Sequence, residues 1–196
     1  MDRLDAVLAA AAPLLTRVDD LLGTMGAPAD HDVWRQLRRV RLLPGDAARA
    51  VAALHPGEFD DAVGLLRSDA RACADVAAAL PPPDGWEGEA ADAYAEVRRR
   101  VADRLSGDGD SLDERLEASA DLAQALIDWM ARARADLAAA LATVLSSEQA
   151  LTLAAEDAPE AAAEVGAYVL RAIADSYAEA DDLLQASAEL AEAIPM

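Results

Sequence analysis

The sequence predicts an all-α protein, an elongated antiparallel bundle built from helical hairpins. Ala and Leu dominate a 196-residue chain in which aromatics make up only 4%, and Ala loses no side-chain entropy in a helix while Leu loses little. Apolar residues recur with the 3.6-residue period of amphipathic helices in nearly every segment. No segment alternates apolar and polar residues as a half-buried strand does. At this length one domain, 1–196, with its own core is expected.

The elements follow in order. Residues 2–23 place Leu4, Val7, Leu8, Ala11, Leu15, Val18 and Leu22 on one stripe. Gly26-Ala27-Pro28 ends that helix, and Asp30 or Asp32 is positioned to cap a short one over 31–43. Pro44-Gly45 reads as a break, with a brief helix from Asp46 to Leu54 behind it. These helices of 1–54 carry no motif that assigns them a role. His55-Pro56-Gly57 opens a helix to residue 80, with Phe59, Val63, Leu66, Ala70, Cys73, Val76 (or Ala77) and Leu80 on one face.

Pro81-Pro82-Pro83-Asp84-Gly85 must then turn the chain. Three prolines lack N–H donors and push each preceding residue toward extended geometry. Trp86 lies on that turn, and Gly88, lacking a side chain, leaves room for a backbone or ring to approach. Helix 89–106 repeats Tyr94, Val97, Val101 and Leu105. Gly107-Asp108-Gly109 is the next break. Ser111-x-x-Glu114 has the pattern of a capping box ahead of a long stripe from Leu112 to Val144 that runs to 152 or stops at Ser146-Ser147. Asp157 and Pro159 open a last helix through 194, with Val165, Val169, Ile173, Ala180, Leu184 and Leu190 on its stripe. The chain thus groups into 1–54, a hairpin 57–106 and a second long hairpin 111–194.

Composition excludes several functions. A net charge of −20 repels phosphates, which argues against nucleic acid as partner. One Cys forms no internal disulfide. The apolar run Ala6–Leu15 is preceded by the acidic Asp2 and Asp5 and no small-residue cleavage site stands out, and no run is long enough to span a bilayer, so no membrane contact is expected. Neither phosphate-cradling glycine motif is present, the histidines lack the Glu-x-x-His spacing of di-iron bundles, and two His and one Cys do not cluster for zinc. A protein without catalysis, cofactor, metal or small-molecule substrate is the expectation.

The helix 57–80, the segment Gly85-Trp86-Glu87-Gly88-Glu89-Ala90-Ala91 and the Ala-rich helix bearing Tyr94 together resemble the WXG-type helical hairpins associated with ESX (type VII) secretion in high-GC Gram-positive bacteria. In that family a W-x-G sits at the hairpin turn, and a Y-x-x-x-D/E motif completes a composite export signal. Tyr177-Ala178-Glu179-Ala180-Asp181 matches the second pattern, with ring and carboxylate on one helix face. The resemblance implies a signal made of Trp86, Gly88, Tyr177 and Asp181, read by the secretion machinery (an ATPase) or by a helical partner. It also implies a cytoplasmic location before export, then secretion without a signal peptide. The alternative is a cytoplasmic chaperone or adaptor that masks the helices of a type VII effector.

The chain is about twice a simple hairpin's length, so it would act as a fused pair. If 107–109 reverses the chain, the three helices after the tip run about 27 Å down, 63 Å up and 26 Å down to Tyr177. That arithmetic brings Tyr177 within about 10 Å of the level of Trp86.

The same residues have plainer readings. In these, Trp86 seals a bundle end with its N–H on a carbonyl, and Tyr177 is a half-buried core edge with Asp181 in solvent. Trp34 and Trp129 lie on apolar stripes as core residues, Cys73 reads as an inert core thiol, and His31 and His55 as cap or loop residues. Arg35, Arg38, Arg39 and Arg41, like Arg98-Arg99-Arg100, read as a solvated ion-pair network. The sharper reading of the first cluster is a docking patch for an acidic partner or the inner leaflet.

Overall fold

The helical periods become eight α-helices in the computed structural model, which describes residues 2–107 and 109–192. They are α1 (Arg3–Thr24), α2 (Val33–Val40), α3 (Pro44–Ala52), α4 (Asp60–Ala79), α5 (Glu89–Leu105), α6 (Leu112–Leu145), α7 (Glu148–Ala155) and α8 (Pro159–Glu192), with a 3-10 turn over Pro56–Phe59. No strand is found among the described residues, and the fold is all-α. The expected helix end at 194 and Asp108 of the 107–109 break lie outside the described residues. No single helix is long and apolar enough to cross a membrane; α6 and α7 reach that composition only as a pair bent by 60°.

Local chemistry sets the boundaries. Asp2 and Asp5 form a reciprocal capping box that starts α1. Pro13 sits inside α1 at an exposed position, where the carbonyl it frees can reach water. His31, not Asp30 or Asp32, caps α2: its Nδ1 accepts the Val33 N–H at 3.1 Å. Pro44 begins α3 instead of breaking a helix, because a proline at the first position loses only an N–H that has no intrahelical partner. The Asp19 carboxylate supplies the cap there, accepting the Gly45 N–H at 3.0 and 3.1 Å. Ser147 ends the α6 run and caps α7 by accepting the Ala150 N–H.

The chain divides into two compact units where the sequence suggested one domain. The first is Met1–Pro56 with Asp128–Asp182, and the second Gly57–Ile127 with Leu183–Met196. The first has a core of large side chains: Leu4, Leu15, Leu137, Leu141, Leu153, Leu170 and Ile173 are almost completely buried. Helix α1 packs on α3 and α7. A Cβ on Gly166 of α8 would stand 3.1 Å from Leu22 and 3.2 Å from Pro44, so these side chains pack directly against the glycine and would have to give by a few tenths of an ångström to admit one. Arg134 is buried in the same unit, donating to the Asp2 and Asp5 carboxylates and to the carbonyls of Ala52 and Leu54.

The second unit is thinner. Helices α4 and α5 form an antiparallel hairpin, and the buried apolar residues of the unit are Val63, Ala70, Ala77 and Ala91 of that hairpin and Ala120 of α6. Its register overturns the expected reversal at 107–109. Leu80 O accepts from Arg98 Nε at 2.9 Å, while Arg67 pairs with Asp121 at 3.0 Å and Glu117 at 3.7 Å. Leu80 and Arg67 lie about 20 Å apart along α4. Residues 98–105 and 112–121 laid end to end cover about 18–24 Å, whereas a doubled-back α6 would return Glu117 and Asp121 to the level of Leu80. Helix α6 therefore continues the direction of α5. The junction is held by Asp113, which accepts from Ser106 at 2.5 Å and Ser111 at 2.6 Å. Those bonds, Ser106 first, hold its carboxyl below the usual carboxylate range. The expected capping box is not formed, because the Glu114 N–H goes to Asp113 and not to Ser111.

Candidate functional site

The turn 81–88 is built by backbone constraints. Leu80 leaves α4 with extended ψ, as a residue before proline must, and the Trp86 N–H closes onto Pro83 O at 3.1 Å. Gly88 has φ 88° and ψ −171°, a region open essentially to glycine alone. Its carbonyl accepts the N–H groups of Ala91 and Asp92, which starts α5. A Cβ at Gly88 would meet nothing within 4 Å, so the glycine serves the backbone angle and not a close approach.

This geometry leaves the Trp86 ring in solvent, 59% exposed. Tyr94 supports it from α5, with ring centroids 5.5 Å apart and planes tilted by 50°. Tyr94 is itself tied down, its hydroxyl donating to Pro81 O at 2.9 Å. The other two indoles behave differently. Trp34 is half-buried and donates to Pro28 O, while Trp129 is buried and donates to Ser176 O. Among the described residues Trp86 Nε1 bonds no carbonyl, so the ring does not seal a bundle end.

Tyr177 and Asp181 lie on α8 within the first unit, whereas Trp86 and Gly88 belong to the second. Tyr177 is half-buried and Asp181 exposed. The ring beside Trp86 is Tyr94, and the reversal that would have brought the two motifs to one level does not occur.

The arginine cluster divides. Arg35 pairs with Asp32 at 2.7 Å; Arg39 pairs with Asp175 at 3.1 Å and reaches Gln36 and Ala174 O. Arg38 and Arg41 are exposed and make none of the ion pairs formed among the described residues; Arg41 ends α2 in the left-handed region with φ 62°. His31, Trp34, Arg35 and Arg38 line an open concavity of about 630 Å³. Asp32 also accepts from Arg171 and Gln36, which hold its carboxyl below the usual range, Arg171 first. In the second cluster Arg98 caps Leu80 O, while Arg99 and Arg100 pair with Glu96.

Two features escaped the sequence reading. Val97 and Val101, expected to face the core, are exposed, and α5 turns inward through Ala91, Tyr94, Arg98 and Ala102 instead. Of the two alternatives on α4, Val76 and Ala77, it is Ala77 that faces in. Each helix therefore carries a second apolar row in solvent, and overlapping periods in an Ala-rich helix were the available signal. The second is Arg134, a charge between Ala133 and Leu137 of the apolar stripe, whose buried guanidinium meets the half-exposed carboxylates of Asp2 and Asp5.

Among the described residues no group of three or more His, Cys, Asp or Glu is arranged to hold a metal ion. No family model matches the chain, nor does any curated protein or solved structure.

Proposed function

We propose that this protein is a non-catalytic recognition protein of the type VII secretion class, read through the Trp86 hairpin tip by secretion machinery or a helical partner. The observation that carries this reading is the exposed indole, held out by a Gly-only turn and supported by Tyr94. A large aromatic held rigidly in water favours binding, because a partner gains its burial without first ordering it. On this reading Tyr177 and Asp181 supply the second half of the signal, and the chain leaves the cytoplasm without a signal peptide. The test is export of the tagged protein from its own host, comparing wild type with Trp86→Ala and Tyr177→Ala. Lost export with retained folding supports the reading; unchanged export in both variants overturns it.

The second reading, a cytoplasmic adaptor that covers a partner's helices, is favoured by the solvent-facing rows of α4 and α5. A protein retained in the cell together with a co-purifying effector would select it.

A further inference from the structure

Most exposed apolar residues of the hairpin form one face. On α4 it comprises Leu65, Ala72, Val76 and Ala79, with Ala78 exposed off the row, and on α5 Ala90, Ala93, Val97 and Val101, all in solvent. Each residue of the two rows directly precedes one that is buried or half-buried: Leu66, Cys73 and Ala77 on α4 with Leu80 just past its end, and Ala91, Tyr94, Arg98 and Ala102 on α5. Both rows therefore lie about 100° to the same hand of their buried rows. In two antiparallel helices the same hand on each is the same face of the pair. Helix α6 does not cover it, since it meets α4 from the other side, through Arg67, Ala70 and Ala74. The larger side chains give it substance: Leu65 is 64% exposed, Val76 53% and Val97 48%, with Trp86 at its end.

The charges around this face indicate what covers it. Asp75, Asp84, Glu87, Glu89 and Asp92 lie toward the Trp86 end and are absent from the ion pairs formed among the described residues; of the arginines nearby, Arg67, Arg99 and Arg100 are paired elsewhere and Arg71 donates to the Arg67 carbonyl. The unit as a whole has 19 carboxylates against 7 arginines, a net charge of −12. A second copy would bring a further −12 to the same surface, and an acidic partner would be repelled likewise.

We propose that the apolar face of the α4–α5 hairpin, at its Trp86 end, docks a basic amphipathic α-helix of a partner protein. Small side chains along both rows let a helix backbone approach closely, Val76 and Val97 provide the apolar contact, and the carboxylates meet Arg or Lys flanking the partner's stripe. An arginine of that helix can also stack on the Trp86 face. This deepens the adaptor reading and rests on it, without requiring the export reading.

The test uses the full chain and two labelled peptides of roughly 20 residues, long enough to be helical. Both carry the same Ala/Leu stripe, flanked by arginine in one and glutamate in the other. Fluorescence anisotropy should show binding of the basic peptide that weakens with salt, and none of its acidic twin. Val76→Asp and Val97→Asp, on the solvent side of their helices, should each weaken binding about tenfold or more. Equal binding of both peptides, no binding of the basic one, or undiminished binding by both variants overturns the proposal. So does sedimentation showing a dimer that Val97→Asp dissociates, which would make a second copy the occupant. If the peptides fail while export still depends on Trp86, the docking proposal falls and the export reading stands.

Discussion

The two units differ in what holds them together. The first buries leucines, valines and an isoleucine; among the described residues the second buries one valine and four alanines, and leaves Leu65, Val76, Val97 and Trp86 in water. Burial of apolar surface is the main favourable term in folding and scales with area, so the stabilising work is concentrated in the first. The segment 1–54, which carries no recognisable motif, packs that core. The hairpin that carries the motif contributes little of it. Apolar burial and apolar exposure are divided between different stretches of the chain, and the alanine-lined hairpin keeps its larger apolar side chains in solvent.

The largest expected effect tests that contrast directly. Leu137→Ala should cost about 2–5 kcal/mol, whereas Val63→Ala, the largest buried apolar truncation in the second unit, should cost about 1–2 kcal/mol. Urea denaturation of each variant measures both, and equal losses would erase the distinction.

Glycines sharpen it within the hairpin. Gly88→Ala forces a side chain into φ 88° and should cost about 1–3 kcal/mol. Gly64→Ala, in the exposed interior of α4 with nothing within 4 Å, should stabilise by about 0.5–1 kcal/mol. Thermal melts that move both variants the same way would show that the turn is not fixed by its backbone angle.

The smallest effect is on pH, and its sign separates two carboxylates of the first unit. Asp32 is held below the usual range by Arg171 and Gln36, so its contribution is present above the unfolded pKa and is lost as pH falls through the folded one. Asp19 is pushed up, chiefly by burial, against the opposing Gly45 N–H bond. Its contribution is present below the unfolded pKa and fades as pH rises through the folded one. Relative to wild type, Asp32→Asn should therefore lose more stability at pH 7 than at acid pH, and Asp19→Asn less. Denaturation at the two pH values distinguishes them.

Periodicity made the helices legible, and Trp86 on an exposed turn followed from the prolines and glycines around it. Other features were ambiguous in the sequence alone. Pro44 serves as well to open a helix as to end one, and only the Asp19 cap, far away in the chain, decides for opening. Gly107 and Gly109 look like a reversal, but the direction of α6 is fixed by Arg67 pairing with Glu117 and Asp121 across a tertiary contact. The boundary between the units falls inside α6 and α8, where no change of composition marks it. The core and solvent faces of α5 differ by one residue of phase, and alanine fits either.

The placement of the three indoles gives the protein a built-in optical reporter. Trp129 is buried and Trp34 half-buried, both anchored to carbonyls, while Trp86 stands in water beside Asp84, Glu87 and Glu89. A neutral quencher such as acrylamide should therefore reach Trp86 emission readily, and iodide, repelled by the surrounding carboxylates, much less. Occupancy of the tip becomes visible as protection from the first quencher, with no dye attached.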